Sequence, residues 1–220
     1  DRCLSRGLGD VYKRQRCPYA MRARMALYLA EIKCEIREIR LSNKPEQMLE
    51  LSPKGTVPVL ILEDKIIDES YDIVNWVIEE SNIFNDNLES DQIDLTESLI
   101  KKFDDEFKHH LDRYKYATRY ENTDSDFHRA ECLKILVDLE ATASNDKWIF
   151  GENLNKLDIS ILPFIRQFRI ANPEWFDSLE EISRIKKILN NYLDSEEFKK
   201  IMFKYDEWEL GAKPVYFPST

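Results

Sequence analysis

The sequence is poor in the residues that interrupt regular structure, with 5 glycines and 8 prolines among 220 residues. This scarcity excludes collagen-like and low-complexity chains and favours a compact, helix-rich protein with few long loops. No apolar run approaches the roughly 20 residues that a membrane span requires, so we expect no membrane partner. Hydrophobic residues make up 43% of the chain, which is enough to bury a core in one large domain or two small ones.

The chain also lacks an excess of positive charge, since its formal net charge is −10 at pH 7. Long-range repulsion therefore opposes binding to nucleic acid and to anionic membrane surfaces. The four cysteines are scattered and show no paired spacing: Cys3, Cys17, Cys34 and Cys132. The first residues contain no apolar stretch of the kind that a secretory signal needs. Reduced thiols and a cytoplasmic location are therefore the expectation.

Two regions of the chain differ in the periodicity of their apolar residues. Short helical and strand-like segments alternate over residues 16–81, which predicts a small α/β domain with a mixed sheet. Ser70 is predicted to cap the last helix of this domain. Residues 82–91 form a polar linker, and every segment of residues 92–220 has helical period. The second region is therefore predicted to be an all-α helical bundle, with Asn155 capping a buried helix.

Cys17 is the candidate reactive group. Pro18 follows it at the start of a predicted helix, and proline at a first helical position sacrifices no backbone hydrogen bond, so Cys17 falls at the N-cap. There the free N–H groups and the helix dipole favour the thiolate. A thioredoxin-type dithiol needs cysteine where Ala20 stands. Cys17 therefore cannot close a disulfide within its own site, and an external thiol must resolve any disulfide that it forms. Solvated surface charge is the interpretation favoured for three nearby arginines, Arg16, Arg22 and Arg24.

Four further residues suit a peptide-like ligand. Val57 and Pro58 precede a strand at the place where thioredoxin-like folds carry a cis proline facing the cysteine. The backbone there would present an N–H and a C=O group to an extended ligand. Glu69 offers a carboxylate for an ammonium group, and Ser70 offers helix N–H donors for a carboxylate. Together these groups suit the γ-glutamyl end of glutathione, although a plain helix cap is the alternative for Ser70.

Four sequence runs carry a family resemblance: residues 17–24, 43–46, 53–60 and 68–70. As a set they resemble glutathione transferases, and among these the cysteine-type, omega-like class. The helix that starts at Asn155 and a closing stretch at residues 198–208 resemble the helical domain of bacterial members. The resemblance spans the chain from about residue 16 to its end. It implies the glutathione transferase architecture, an α/β thioredoxin-like N-terminal domain plus an all-α C-terminal helical bundle, and it implies a homodimer.

The resemblance also implies a role for each site residue. Cys17 would form a mixed disulfide with glutathione, and Lys44 would contact the glycyl carboxylate of this cofactor. Val57, beside Pro58, would pair with its backbone. The last two site residues, Glu69 and Ser70, would hold its γ-glutamyl group.

Three functions are compatible with these residues. The leading interpretation is a glutathione-dependent thiol transferase that reduces mixed disulfides or a small oxidant such as dehydroascorbate. A conjugating transferase, acting on a small electrophile, would need another donor to stabilise the thiolate of glutathione itself. A non-catalytic binding adaptor is the third. No metal is expected, because His109 and His110 are adjacent on a helix and no third ligand is evident.

Residues 1–15, called the leader below, do not fit the predicted domain. A thioredoxin-like sheet needs a central strand just before the Cys17 helix, and central strands are apolar runs. The leader is instead rich in glycine and charge, and residues 10–15 resemble a translated sequencing adaptor. We therefore expect a foreign leader that replaces the first strand, with Lys13 or Arg14 facing apolar layers and Asp1 to Gly9 unpacked. A divergent but genuine strand is the alternative.

Overall fold

The computed structural model describes residues 9–84 and 88–218. The chain divides into two compact units, the first formed by Asp1–Asn85 with Glu196–Thr220 and the second by Asp86–Ser195. The predicted α/β and all-α regions correspond to these units except at the end of the chain. There the prediction of one helical domain over residues 92–220 is wrong, because Glu196–Thr220 belongs to the first unit.

The elements of the described residues run in the following order. The strands are β1 Gly9–Lys13, β2 Cys34–Glu38, β3 Val59–Ile61, β4 Ile66–Ile67 and β5 Tyr216–Phe217. The helices are α1 Pro18–Leu29, α2 Glu46–Leu51, α3 Ser70–Ser81, α4 Ser90–Lys102, α5 Lys108–Lys115, α6 Ser125–Thr142, α7 Lys156–Ala171, α8 Pro173–Ser178, α9 Ser183–Asp194 and α10 Glu196–Ile201. A π-helical turn at Phe103–Phe107 joins α4 to α5, and a 3₁₀ turn at Ala117–Arg119 follows α5. None of the helices among these residues is long and apolar enough to cross a membrane.

The first unit is built on a five-stranded mixed sheet with the strand order β4-β3-β1-β2-β5. β1 lies at the centre, parallel to β2 and antiparallel to β3. β5 adds to the outer edge of β2 through the pairs Cys34–Phe217 and Glu35–Tyr216. A two-residue strand is too short to show a period in the sequence. The sequence therefore carries no signal that the end of the chain joins the sheet of the first unit.

Helix α1 packs against α3 and α10 within the first unit. It buries every residue from Ala20 to Leu27, which include two arginines. An apolar cluster of residues from the strands, the loops and α2 lies near the start of α1: Tyr12, Ile39, Met48, Val57 and Val59. Cys17 packs against this cluster, so the start of α1 is anchored in apolar surroundings.

In the second unit, helix α7 is buried over most of its length, as its sequence predicts. Asn155 is its N-cap, and its side-chain oxygen accepts hydrogen bonds from the N–H groups of Leu157 (2.8 Å) and Asp158 (3.3 Å). The Asp158 carboxylate accepts in return from the Asn155 N–H at 3.0 Å. The predicted cap by Asn155 is therefore confirmed, and Asp158 makes it reciprocal.

Strand β1 occupies the position of the leader's last residues. Val11, Tyr12 and Lys13 are each 0% exposed, whereas Arg14 is exposed. Gly9 is also buried, so its assignment to an unpacked tail is wrong; a Cβ atom there would lie 2.7 Å from the Ile61 carbonyl oxygen. The rest of that predicted tail lies outside the described residues. The foreign origin of the leader stays a prediction.

Lys13 is a buried charge in the central strand. Its ammonium group pairs with the Glu38 carboxylate and lies 4.6 Å from the centre of the Tyr205 ring. Burial, followed by repulsion from Arg24, lowers the pKa of Lys13 to about 8, although Glu38 opposes this shift. The sequence predicted that Lys13 or Arg14 would face apolar layers, and Lys13 is the one that is buried.

This lowered pKa predicts a pH dependence of stability. Lys13 has an ordinary pKa of 10.5, so between about pH 8 and 10.5 the unfolded chain holds its proton more tightly than the folded chain does. The free energy of unfolding should therefore rise across this window, by up to about 3 kcal/mol. Urea titrations at pH 7 and pH 10 measure this rise in the free energy of unfolding. Lys13→Met should lack the rise, whereas the exposed control Lys213→Met should retain it. Equal pH dependence in the two variants would show that the Lys13 pKa is not lowered.

Candidate functional site

Cys17 lies in the loop between β1 and α1 and is the N-cap of α1, as predicted. Pro18 occupies the first helical position, and the Cys17 carbonyl accepts the N–H of Met21 at 2.9 Å. The Cys17 N–H donates to the carbonyl of Arg14 at 3.1 Å. The thiol is half-buried, and its Sγ donates to the carbonyl oxygen of Val57 at 3.7 Å. The cysteine therefore faces the segment that the sequence placed opposite it.

The turn before β3 brings three of the predicted binding residues together. The Val57–Pro58 peptide bond is cis, as expected for this position. Gly55, two residues earlier, has a left-handed φ of 62°. This φ favours glycine, and a Cβ atom at Gly55 would lie 3.1 Å from Lys44 Nζ, so the ammonium group lies directly beside this turn. Lys44 thus lies next to the turn that carries Val57 and Pro58.

Glu69 and Ser70 stand at the start of α3. The N-cap is Glu69, and Ser70 is the first helical residue, so the prediction that Ser70 caps this helix is wrong. Its hydroxyl oxygen instead accepts a hydrogen bond from Arg22 Nε at 2.9 Å. Glu69 is exposed and forms an ion pair with Lys54, a residue that the sequence analysis did not select. Sequence spacing does not predict the Arg22–Ser70 and Lys54–Glu69 pairs, because the two members of each pair lie in separate parts of the fold.

The expectation of solvated charge is wrong for two of the three arginines near Cys17. Arg16 is exposed, but Arg22 is 2% and Arg24 0% exposed. Two contacts compensate the burial of Arg22. Its Nε atom donates to the Ser70 hydroxyl oxygen, and its guanidinium lies 5.2 Å from the centre of the Tyr19 ring.

Arg24 is buried among main-chain carbonyl groups. Its guanidinium donates to the carbonyl oxygens of Ala20 at 3.0 Å and Gln15 at 2.7 Å, and also to that of Ile201. These acceptors compensate the loss of hydration that a buried charge suffers. The segment that leads into Cys17 is therefore fixed to α1 and to the end of α10.

The other described cysteines are remote from this chemistry. Cys34 and Cys132 are buried, as predicted, and burial raises the pKa of the Cys34 thiol to about 12. Burial also raises the pKa of Cys132. Their thiols donate to the carbonyl oxygens of Phe217 and Phe107, at 3.6 and 3.7 Å. Cys17 is therefore the one half-exposed thiol in the part of the chain that the structure describes.

Comparison with known proteins finds one family at the levels of sequence and fold. Residues 11–83 match the model of the glutathione S-transferase N-terminal domain, a match that includes the end of the leader. The probable glutathione S-transferase parA of Nicotiana tabacum is 30% identical over 156 residues, which are 68% of each chain. None of these matches supports the resemblance of residues 10–15 to a translated adaptor.

Two solved structures illustrate the similarity of fold. A glutathione transferase family member from Pseudomonas fluorescens, solved with two glutathione bound, has a TM-score of 0.77 at 14% identity, with 89% of this chain and 92% of that chain covered. Glutathione transferase Omega 3C from Trametes versicolor has a TM-score of 0.73 at 16% identity, with 94% of each chain covered.

Alkylation of the folded protein should distinguish the cysteines. In a Cys3→Ser background, which removes the thiol outside the described residues, iodoacetamide at pH 7.5 should modify Cys17 alone, because a buried thiol with a raised pKa reacts slowly. Peptide mass mapping measures the modified positions, and the same reaction in denaturant is the control in which Cys34 and Cys132 also react. Modification of either buried cysteine before Cys17 would contradict this arrangement.

Proposed function

Because the chain belongs to the glutathione S-transferase family, we propose that it is a glutathione-dependent thiol transferase of the cysteine type, similar to the omega-like class. The observation that carries the proposal is the place of Cys17, whose half-exposed thiol lies at a helix N-cap and 3.7 Å from the Val57 carbonyl oxygen. A thiol at a helix N-terminus is favoured as thiolate, which is the form that attacks disulfides. The structural neighbour from Trametes versicolor is an Omega transferase, which is consistent with this class.

The reaction requires two thiol–disulfide exchanges. In the first, the Cys17 thiolate attacks the glutathionyl sulfur of a mixed disulfide, and the other sulfur leaves as a thiolate that takes up a proton. In the second, a glutathione thiolate attacks the glutathionyl sulfur on Cys17, which releases glutathione disulfide and regenerates the Cys17 thiolate. The buried state of Cys34 and Cys132 supports an external thiol for this second step. Each turnover consumes one molecule of glutathione, because the other half of the released glutathione disulfide comes from the mixed disulfide itself.

Glutathione would lie along the turn before β3. Its backbone would pair with the main chain of Val57 beside the cis Pro58, in the manner of an added strand. Lys44, whose Nζ atom lies beside this turn, would receive the glycyl carboxylate. The groups at the start of α3, Glu69 and Ser70, would receive the two charged groups of the γ-glutamyl end.

The bonds made by Ser70 and Glu69 support this assignment. The Ser70 oxygen accepts from Arg22, which leaves the hydroxyl hydrogen to be donated to a ligand carboxylate. Glu69 and Lys54 are 54% and 50% exposed, and exposed ion pairs contribute only about 0–1 kcal/mol. An ammonium group of glutathione can therefore displace Lys54 from Glu69 at little cost.

Three finer assignments follow from the family resemblance. We propose a cytoplasmic location, where glutathione keeps thiols reduced. Homodimerisation is proposed on the same basis. The second substrate would be a mixed disulfide or a small oxidant such as dehydroascorbate, with a small electrophile as the substrate of the conjugating alternative.

Replacement of the reactive thiol tests the proposed reaction. Cys17→Ser should abolish glutathione-dependent reduction of a small mixed disulfide, because the hydroxyl cannot form the covalent intermediate, while the affinity for glutathione stays near that of the parent. Coupled reductase assays and calorimetric titration measure the two properties, with Cys3→Ser as the control. Undiminished disulfide reduction by Cys17→Ser would contradict the thiol-transferase mechanism. A parent protein that does not bind glutathione would indicate the adaptor function instead.

Three charge substitutions test the proposed glutathione contacts. Lys44→Ala and Glu69→Ala should each weaken glutathione binding by about 1–3 kcal/mol, since each leaves a charged group of the ligand unpaired. Lys54→Ala is the matched control: it removes a competing partner of Glu69, so binding should be equal or slightly tighter. Calorimetric titration gives all three affinities. Parental affinity in Lys44→Ala and Glu69→Ala would overturn the assignment, as would a loss in Lys54→Ala equal to that in Glu69→Ala.

A further inference from the structure

All three histidines of the sequence meet at one place in the second unit. His109 and His110 lie on α5 and His128 lies on α6, and one ring nitrogen from each falls within 4.8 Å of the others. The Nδ1 atoms of His110 and His128 are 2.7 Å apart. The ring centres of His109 and His110 are 5.1 Å apart, although neighbouring side chains on a regular helix diverge. A π-helical turn, a feature frequent at functional sites, directly precedes α5.

No third ligand for this place is evident in the sequence, and the structure supplies one. His128 follows His110 by 18 residues and lies on a different helix, so no spacing rule links the two. His128 lies close to both of the adjacent histidine rings. Its ring centre is 4.9 Å from that of His110 and 5.9 Å from that of His109.

Two carboxylates adjoin the histidines. One ligand atom from each of Glu106, His110 and Glu131 also falls within 4.8 Å of the other two. Glu106 lies in the π-helical turn four residues before His110, and Glu131 follows His128 by three residues on one face of α6. The two pairs meet because α5 and α6 pack together. Imidazole and carboxylate groups at this separation are the ligands that zinc and its neighbours among the divalent metals take.

Two cationic side chains adjoin the cluster. Arg113 Nη1 lies 2.9 Å from His109 Nδ1, and Lys134 Nζ lies 3.9 Å from a Glu131 carboxylate oxygen.

We propose that His109, His110 and His128 bind a divalent transition metal ion such as Zn²⁺, with water and a carboxylate of Glu106 or Glu131 completing its coordination. The ion would replace the hydrogen bond between the Nδ1 atoms of His110 and His128. It would link α5 to α6 and so stabilise the second unit when bound. The site lies within that unit and is independent of the proposed chemistry of Cys17.

The direct test is metal titration of the full chain without a polyhistidine tag. After treatment with a chelator, Zn²⁺ in calorimetry should bind with one ion per chain and raise the melting temperature. Even outer-shell partners of a metal contribute about 10-fold or more to affinity, so His110→Gln and His128→Gln should each weaken binding by at least that factor. Glu181→Gln, an exposed carboxylate change in the same unit, is the matched control and should bind as the parent does.

Proton NMR provides a second readout that does not depend on the variants folding well. Because the chain has 3 histidines, the Cε1–H signals of the parent report on this site alone, and all should shift during titration with Zn²⁺. Unshifted imidazole signals at saturating Zn²⁺ would overturn the proposal. So would Zn²⁺ affinity that is unchanged in both His110→Gln and His128→Gln, since the ion would then sit on cysteine or surface carboxylates.

Discussion

The position of the Cys17 thiol depends on the buried guanidinium of Arg24. This side chain is 0% exposed, and its donors reach main-chain carbonyl groups at Ala20, Gln15 and Ile201. A buried charge is tolerated only when its donors are satisfied, so the three carbonyl groups and the guanidinium hold one another in place. Gln15 lies two residues before Cys17, and its own N–H donates to Glu38 at the end of β2. The loop that delivers the cysteine is therefore fixed from both sides.

Helix α1 carries this constraint to the rest of the site. Its N-cap is Cys17, which meets the Val57 carbonyl, and one turn later Arg22 donates to Ser70 at the start of α3. One helix thus relates the thiol to the groups proposed for the backbone of glutathione and for its γ-glutamyl end. Because α1 is buried from Ala20 to Leu27, it is a rigid support for these contacts. Preorganised groups of this kind lower the entropic cost of binding a flexible tripeptide.

The features that the sequence could predict are those with a local signal. Cys17 before Pro18 marks an N-cap, and Asn155 with Asp158 marks a reciprocal cap, because capping joins residues no more than three apart. The buried arginines had no such signal, since a charge at a buried position is recognised only from its distant acceptors. β5 and His128 were missed for the same reason: the pairing of Tyr216 with Glu35 and the contact of His128 with His110 join separate elements. Long-range contacts of this kind are properties of the folded chain.

The account depends most on the claim that Cys17 exchanges disulfides with glutathione. The most direct measurement is a mass spectrum of the folded protein after incubation with glutathione disulfide, followed by peptide mapping without reductant. We expect one glutathionyl adduct, located on Cys17 and removed by added glutathione. A protein that remains unmodified under these conditions, or that carries its adduct on another cysteine while Cys17 stays free, would contradict the central claim.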